Sequence, residues 1–311
     1  MPDPAPRILP FGDAALAEAA RLIRAGEPVA TPTETVYGLA ADARSSAAVA
    51  RIYAAKGRPS FNPLIVHVPD LAAAERLARF DADAGRLAAR FWPGPLTLVL
   101  PLREDAGLAP AVTAGLPTVA IRVPRHRAMR ALLHATAAPL AAPSANRSGH
   151  ISPTRAGHVA ASLGDAVPLI LDDGPTEAGL ESTIVHGRAI LRPGPVTAED
   201  IAAVLGAPAE PTKKPETITA PGQLLSHYAP NKPVRLNAVE AAPEEWLIGF
   251  GPVTGDDTLS ASGDLWEAAA TLFAALHRAD ASAKPRIAVA PVPIDGVGEA
   301  INDRLRRAAY R

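Results

Sequence analysis

Between Ala207 and Pro233 the chain carries Pro208, Pro211, Pro215, Pro221, Pro230 and Pro233, with no helical or strand period between them. Proline lacks a backbone N–H and fixes φ, so neither a helix nor a central strand runs through such a stretch. The segment is longer than an ordinary internal loop, and its composition is that of an extended, semi-stiff linker. It divides the 311 residues into an expected first domain over 8–206, a linker over 207–233 and a second domain over 234–311.

Ahead of the linker the apolar pattern alternates between two periods. Asp13–Ala25 reads as a helix capped by Asp13 and stopped by Gly26, with Leu16, Ala19, Leu22 and Ile23 on one face. Helices are also expected at 46–55, 70–79, 81–91 and 125–135. Strands are expected at 28–32, 64–68, 96–102, 118–123, 140–142 and 169–171. Residues 182–185 and 189–192 form a hairpin across Gly187-Arg188, and Thr197-Ala-Glu-Asp200 reads as a capping box opening a helix to Leu205. The order is not the strict alternation of a parallel sheet, so an open, twisted, mixed α/β sheet is expected. Beyond the linker, strands at 234–239, 246–250 and 286–292 with helices at 264–279 and 299–309 predict a small, partly parallel Rossmann-like α/β domain. Asp256-Asp257 reads as part of a Gly-rich turn, and Arg304, Arg306 and Arg307 as a solvated helix face.

Hydrophobic residues make up 48% of the chain, enough for a sizeable core, while aromatics are 4%. Scarce aromatics and a net charge of −1 argue against a surface made mainly for nucleic acid, which would show a basic excess and stacking side chains. With no cysteine, thiolate catalysis and Cys-type zinc sites are excluded. No apolar run suggests a membrane span and no signal peptide is visible, so the expected location is the cytoplasm.

The familiar nucleotide motifs, G-x-x-x-x-G-K-[ST] and G-x-G-x-x-G, are absent, and so is the G-x-S-x-G nucleophile elbow. What remains is a set of polar clusters at strand ends and in Gly/Pro turns. Lys56-Gly-Arg58 follows a helix, where two cations ordinarily just cap the last carbonyls. Here Ser60 and Asn62 follow between prolines and lead into a strand ending at His67, which fits an anion-binding turn. Thr31-Pro-Thr-Glu-Thr35 reads either as a capped turn or as a hydroxyl-lined polar site, with Gly38 allowing close backbone approach. Pro143–Thr154 is dense in hydroxyls and backbone donors and can cradle phosphate without a Walker sequence, although Ser-rich loops are usually only loops. Arg122 and Arg192 end apolar strands, where a half-buried guanidinium needs an anionic partner, either a carboxylate of the protein or a ligand.

Taken together, Pro32–Leu39, Lys56–His67, Phe91–Thr97, Thr118–Pro124, Pro143–Thr154, Glu181–Val185 and Arg192-Pro-Gly194 resemble the YrdC/Sua5 family, in order and over nearly the whole chain. Pro221–Pro230 resembles the linker signature of its two-domain members, although Gln223-Leu-Leu-Ser226 stands where many relatives carry basic residues. The resemblance implies a YrdC-like domain, a Pro-rich linker and a Sua5-type C-terminal domain. It also implies an L-threonylcarbamoyladenylate synthase activity that joins L-threonine, bicarbonate and ATP and releases pyrophosphate.

The product would pass to the tRNA threonylcarbamoyl-transfer complex for the t6A modification of tRNA. By the same similarity, threonine would lie against Thr35, His67, Arg122, the backbone at Ala142, and Ser182. ATP would be held by Arg58, Asn62, Thr118, Ser144, Ser152 and Arg192, with Tyr228 closing over it from the linker. Lys56 and Arg58 would align substrates and neutralise charge, with no covalent nucleophile. Mg²⁺ is expected with ATP, and no protein side chain is assigned to it. Two rival readings are an RNA-binding module, with direct tRNA binding left open, and a different carbamoyl-adenylate enzyme on the same domain.

Overall fold

The computed structural model describes residues 6–208 and 227–310. Most of the expected linker, including Gln223–Ser226, lies outside the described residues. Before the linker, ten strands form one sheet: β1 (Arg7–Pro10), β2 (Val29–Pro32), β3 (Tyr37–Asp42), β4 (Ile65–His67), β5 (Leu96–Pro101), β6 (Thr118–Arg122), β7 (Leu140–Ala141), β8 (Leu169–Asp172), β9 (Thr183–His186) and β10 (Ala189–Arg192). Their order is β1-β8-β2-β3-β7-β4-β6-β5-β9-β10. The β1/β8, β2/β8, β4/β6 and β5/β9 pairs are parallel and the others antiparallel, so the sheet is mixed as the sequence predicts.

Side-chain alternation sends neighbouring residues to opposite faces. Leu39 and Ala41 pack with Val49 and Ile52 of the helix Ser46–Lys56, whereas Ala40 packs with Ala19 and Ile23 of Asp13–Arg24 and with Leu132 of Arg127–Thr136. Further along this second face, over β4, β5, β6 and β9, the buried cluster of Ile65, Val99, Ala120 and Ile184 comes from strands alone. Among the described residues no helix contributes to that cluster.

Several local readings need correction. Asp13 lies inside the first helical turn rather than capping it; Gly12 precedes the helix and offers no side-chain cap. Instead Asp13 places a negative charge near the positive end of the helix dipole. The segment read as a threonine-rich turn runs on into β3, whose Gly-Leu-Ala-Ala run lacks the branched residues that usually announce a strand. The capping box is present: the Thr197 N–H donates to Asp200 at 3.0 Å and the Asp200 N–H donates to Thr197 Oγ1 at 3.2 Å.

After the linker, β11 (Val234–Arg235), β12 (Glu245–Gly249), β13 (Asp257–Thr258) and β14 (Arg286–Val289) form a second sheet in the order β11-β14-β12-β13. It is parallel throughout rather than partly so. Asp257 belongs to β13, and its carboxylate accepts from Arg278 at 2.7 Å, so it is not a bare turn residue. Asp264 caps the helix Leu265–Ala281 by accepting from the Glu267 N–H at 2.7 Å.

The two sheets are joined by a shared apolar cluster. Val36, Ile151 and Leu180 from the first part pack with Leu272, Phe273 and Leu276 of Leu265–Ala281. Gly179 makes this contact possible. It has φ +68°, and a Cβ there would stand 2.5 Å from Ala269 O and 2.5 Å from Ala270 Cα. The helix Gly298–Ala309 then brings Arg304 to full burial, which overturns its reading as a solvated side chain.

Candidate active site

Parallel pairing of β4 with β6 sets His67 opposite Arg122 at the carboxyl ends of the two strands, where open α/β sheets hold ligands. Arg122 has five N–H donors. Three are spent at short range: Nε to Gly94 O at 3.1 Å, Nη1 to Thr35 Oγ1 at 2.8 Å and Nη2 to Glu34 Oε1 at 2.6 Å. The other Glu34 oxygen accepts the Arg125 and His126 N–H groups, each at 3.1 Å. Burial alone would raise the Glu34 pKa. The Arg122 charge and these hydrogen bonds outweigh it and hold the carboxyl at about 2. Glu34 therefore fixes the guanidinium plane and leaves its remaining N–H donors for a ligand. The loop carrying Glu34 is pinned by Thr33, whose hydroxyl donates to Val36 O at 2.7 Å and accepts from the Thr35 N–H at 3.1 Å.

The same cavity also holds cations with no matching carboxylate. Arg58 donates to Asn62 O at 3.0 Å, Asn62 Oδ1 at 2.7 Å and Pro63 O at 2.7 Å. Arg192 donates to Ser182 O at 2.9 Å and Ser182 Oγ at 3.2 Å. Both side chains are buried, and burial lowers both pKa values, that of Arg58 to about 10. Neither makes a salt bridge among the described residues. A buried cation held only by neutral groups is costly, and an anion entering the cavity removes that cost.

Unsatisfied buried atoms mark the same place. His67 Nδ1, His227 Nδ1 and the Tyr228 hydroxyl, all on cavity-lining residues, lack a hydrogen-bond partner, as expected of groups waiting for a polar ligand. His67 is held neutral: burial first, then the Arg122 charge, brings its pKa to about 3.

The cavity is lined by nine of the residues expected from the sequence. They are Thr35, Arg58, His67, Arg122, Ala142, Ser144, Ser182, Arg192 and Tyr228. Four others stand outside the wall. Lys56 is buried behind it, donating to Ser144 O at 2.6 Å and also to Asn146 O, so it holds the 144–146 loop. Asn62 backs Arg58. Ser152 donates to Glu181. Thr118 opens β6 opposite Pro101. The structure thus gives these four no place on the wall of the cavity, and Lys56 does not face it as expected.

The enclosed volume is about 50 Å³, far below the roughly 300–1,000 Å³ of pockets that hold small ligands. His227 and Tyr228 are part of its wall. Tyr228 is fully buried in the left-handed region at φ +61°, a conformation that costs energy for a non-glycine residue.

The Sua5/YciO/YrdC family model, described as telomere recombination, matches residues 21–194, and the model for the threonylcarbamoyl-AMP synthase C-terminal domain matches residues 196–310. The chain belongs to the YrdC/Sua5 family. It is 43% identical to the threonylcarbamoyl-AMP synthase of Bacillus subtilis, over 97% of this chain and 94% of the relative. It is 41% identical to the enzyme of that name from Pyrococcus abyssi, over 94% of each. The crystal structure of Pyrococcus abyssi Sua5 complexed with L-threonine superposes with a TM-score of 0.89 at 37% identity, covering 97% of both chains.

Within this YrdC/Sua5 site, sequence reasoning passed over Glu34, Glu181 and Arg304. Glu34 looked like one more polar residue of a turn. Arg304 shares a helical stripe with Ile301, Leu305 and Ala308, all buried, and that spacing is the signal that could have revealed it.

Proposed function

We propose that the chain is an L-threonylcarbamoyladenylate synthase. The threonine amine forms a C–N bond to bicarbonate carbon and water leaves, giving the carbamate. A carbamate oxygen then attacks the α-phosphorus of ATP and pyrophosphate departs. No step needs an enzyme nucleophile; the demands are alignment, charge neutralisation and exclusion of water.

Each demand has residues suited to it. The free N–H donors of Arg122 suit the threonine carboxylate, and Thr35, Ser182 and the Ala142 backbone stand around it. His67, neutral at physiological pH, adds no charge to repel the amine. Arg58 and Arg192, without carboxylate partners, suit the triphosphate and the departing pyrophosphate, with Ser144 beside them. Tyr228 and His227 act as a lid that withdraws to admit ATP and returns over it, protecting carbamate and mixed anhydride from hydrolysis.

The described residues contain no group of three or more His, Cys, Asp or Glu able to hold a metal, and Glu34 and Glu181 are already paired with arginines. Mg²⁺, expected with ATP, would shield phosphate charge there. The product then serves t6A formation through the tRNA threonylcarbamoyl-transfer complex, in the cytoplasm. No helix among the described residues is long and apolar enough to cross a membrane.

The observation that carries this reading is how charge is paired: Arg122, matched by Glu34 beside His67, shares its cavity with two buried arginines, Arg58 and Arg192, that have no carboxylate partner. Pyrophosphate release by the purified protein tests it, with threonine, bicarbonate or ATP omitted in turn. Release should require all three, and release indifferent to threonine would refute the synthase.

A further inference from the structure

Arg304 lies on the last helix, more than a hundred residues in sequence from Glu181 and Arg192 of the cavity wall, yet it is fully buried against Glu181. Its Nε donates to Glu181 Oε2 at 2.9 Å, and its Nη1 donates to Pro193 O at 2.9 Å and to Asp303 Oδ2 at 2.9 Å. The guanidinium carbon stands 5.2 Å from the centre of the Tyr228 ring, within cation–π range. Glu181 is itself a wall residue of the cavity, and its other oxygen accepts from Ser152. Arg192 is a neighbour in the same wall.

Glu181 is thus a carboxylate in a site that must receive a highly charged anion. Left without Arg304, it would be drawn to a neighbouring buried cation, and Arg192, which feels the Glu181 charge, has no other carboxylate to oppose the move. We infer that Arg304 is a positioning residue for nucleotide binding: the C-terminal domain supplies it to hold Glu181 away from Arg192 and to seat the Tyr228 ring. The inference rests on the proposed use of Arg192 for phosphate. It gives the C-terminal domain a part in the site without contact to substrate.

The test uses the full-length chain and four forms: wild type, Arg304→Met, Glu181→Gln and the double variant. Each is followed by thermal melting, by ATP binding in a calorimeter without threonine, and by steady-state turnover. Arg304→Met should weaken ATP binding about tenfold or more, because a released buried carboxylate competes for the cation. It should raise the KM for ATP in parallel and leave the KM for threonine nearly unchanged. The double variant should recover most of the ATP affinity, since the neutral amide that replaces the Glu181 carboxylate carries no charge to compete. A merely structural Arg304 would move both KM values together, and the neutral partner would not rescue it.

Unchanged ATP affinity in a folded Arg304→Met protein, or failure of the double variant to rescue, would overturn the inference. If Arg304→Met does not fold, Arg304→Lys keeps the charge and decides the matter: ATP affinity near wild type upholds the charge argument, and a loss as large as that expected for Met overturns it. Calorimetry separates this result from the synthase reading. A wild type that binds ATP but releases no pyrophosphate would fail the synthase assignment while leaving the Arg304 comparison readable.

Discussion

At the scale of single residues, the site is a problem in charge. Glu34 is buried and pinned by Arg122 and two backbone N–H groups, and its carboxyl titrates at about 2 rather than 4.5. A carboxyl with a lower pKa folded than unfolded stabilises the fold above its unfolded value. That contribution fades as pH falls from about 4.5 to about 2 and is of the order of 3 kcal/mol. Glu34→Gln should therefore flatten the acid limb of stability against pH within that window, as denaturant titrations would record. An unchanged limb would mean that the ion pair is not formed in solution. Arg122→Ala leaves Glu34 buried without its partner and should cost about 3–5 kcal/mol of stability while weakening threonine binding; unaltered threonine affinity in the folded fraction would refute the carboxylate role.

Tyr228→Phe is the gentler probe. The hydroxyl has no hydrogen-bond partner, so its removal should leave the melting temperature equal or slightly higher. ATP affinity should nevertheless fall severalfold, by about 1 kcal/mol, if that hydroxyl meets the nucleotide. A lower melting temperature with unchanged affinity would assign Tyr228 to packing alone.

At the scale of elements, most strands with branched or long apolar residues were legible in the sequence, β1 with its Ile8-Leu9 being missed, and so was the hairpin that ends at Arg192. The capping box at Thr197 was legible because its two side chains and two backbone groups lie within four residues. β3 was not, because Gly38, Ala40 and Ala41 give no strand signal by themselves. They become a strand through β2 and β7, which pair with it on both sides. The docking of Leu265–Ala281 on the first part was equally hidden, since it depends on Gly179 meeting a helix backbone some ninety residues later. Gly179→Ala adds a Cβ to a left-handed position in direct collision with that backbone, and should destabilise the protein by about 2 kcal/mol or more in denaturant unfolding. A neutral substitution would show that the two parts do not meet there.

At the scale of the whole molecule, the second part of the chain backs the cavity that the first part and the residues after the linker line. The first supplies the strand ends, the hydroxyls and the cations. The second supplies Arg304 and the surface against which Phe273 meets Tyr228, ring centres 5.5 Å apart. Sequence reading found most of the cavity wall because strand-end polar residues stand out against apolar runs. It missed what holds that wall in place, because Glu34–Arg122 and Arg304–Glu181 join residues 88 and 123 positions apart, and no local pattern records such pairs.

The central claim is that this cavity couples threonine, bicarbonate and ATP into one molecule. Supplying ¹³C-bicarbonate with ATP and L-threonine, and resolving the nucleotide products by mass spectrometry, tests it most directly. The account predicts an adenylate that carries both threonine and a single ¹³C. Only AMP or ADP, with neither threonine nor label attached, would contradict it.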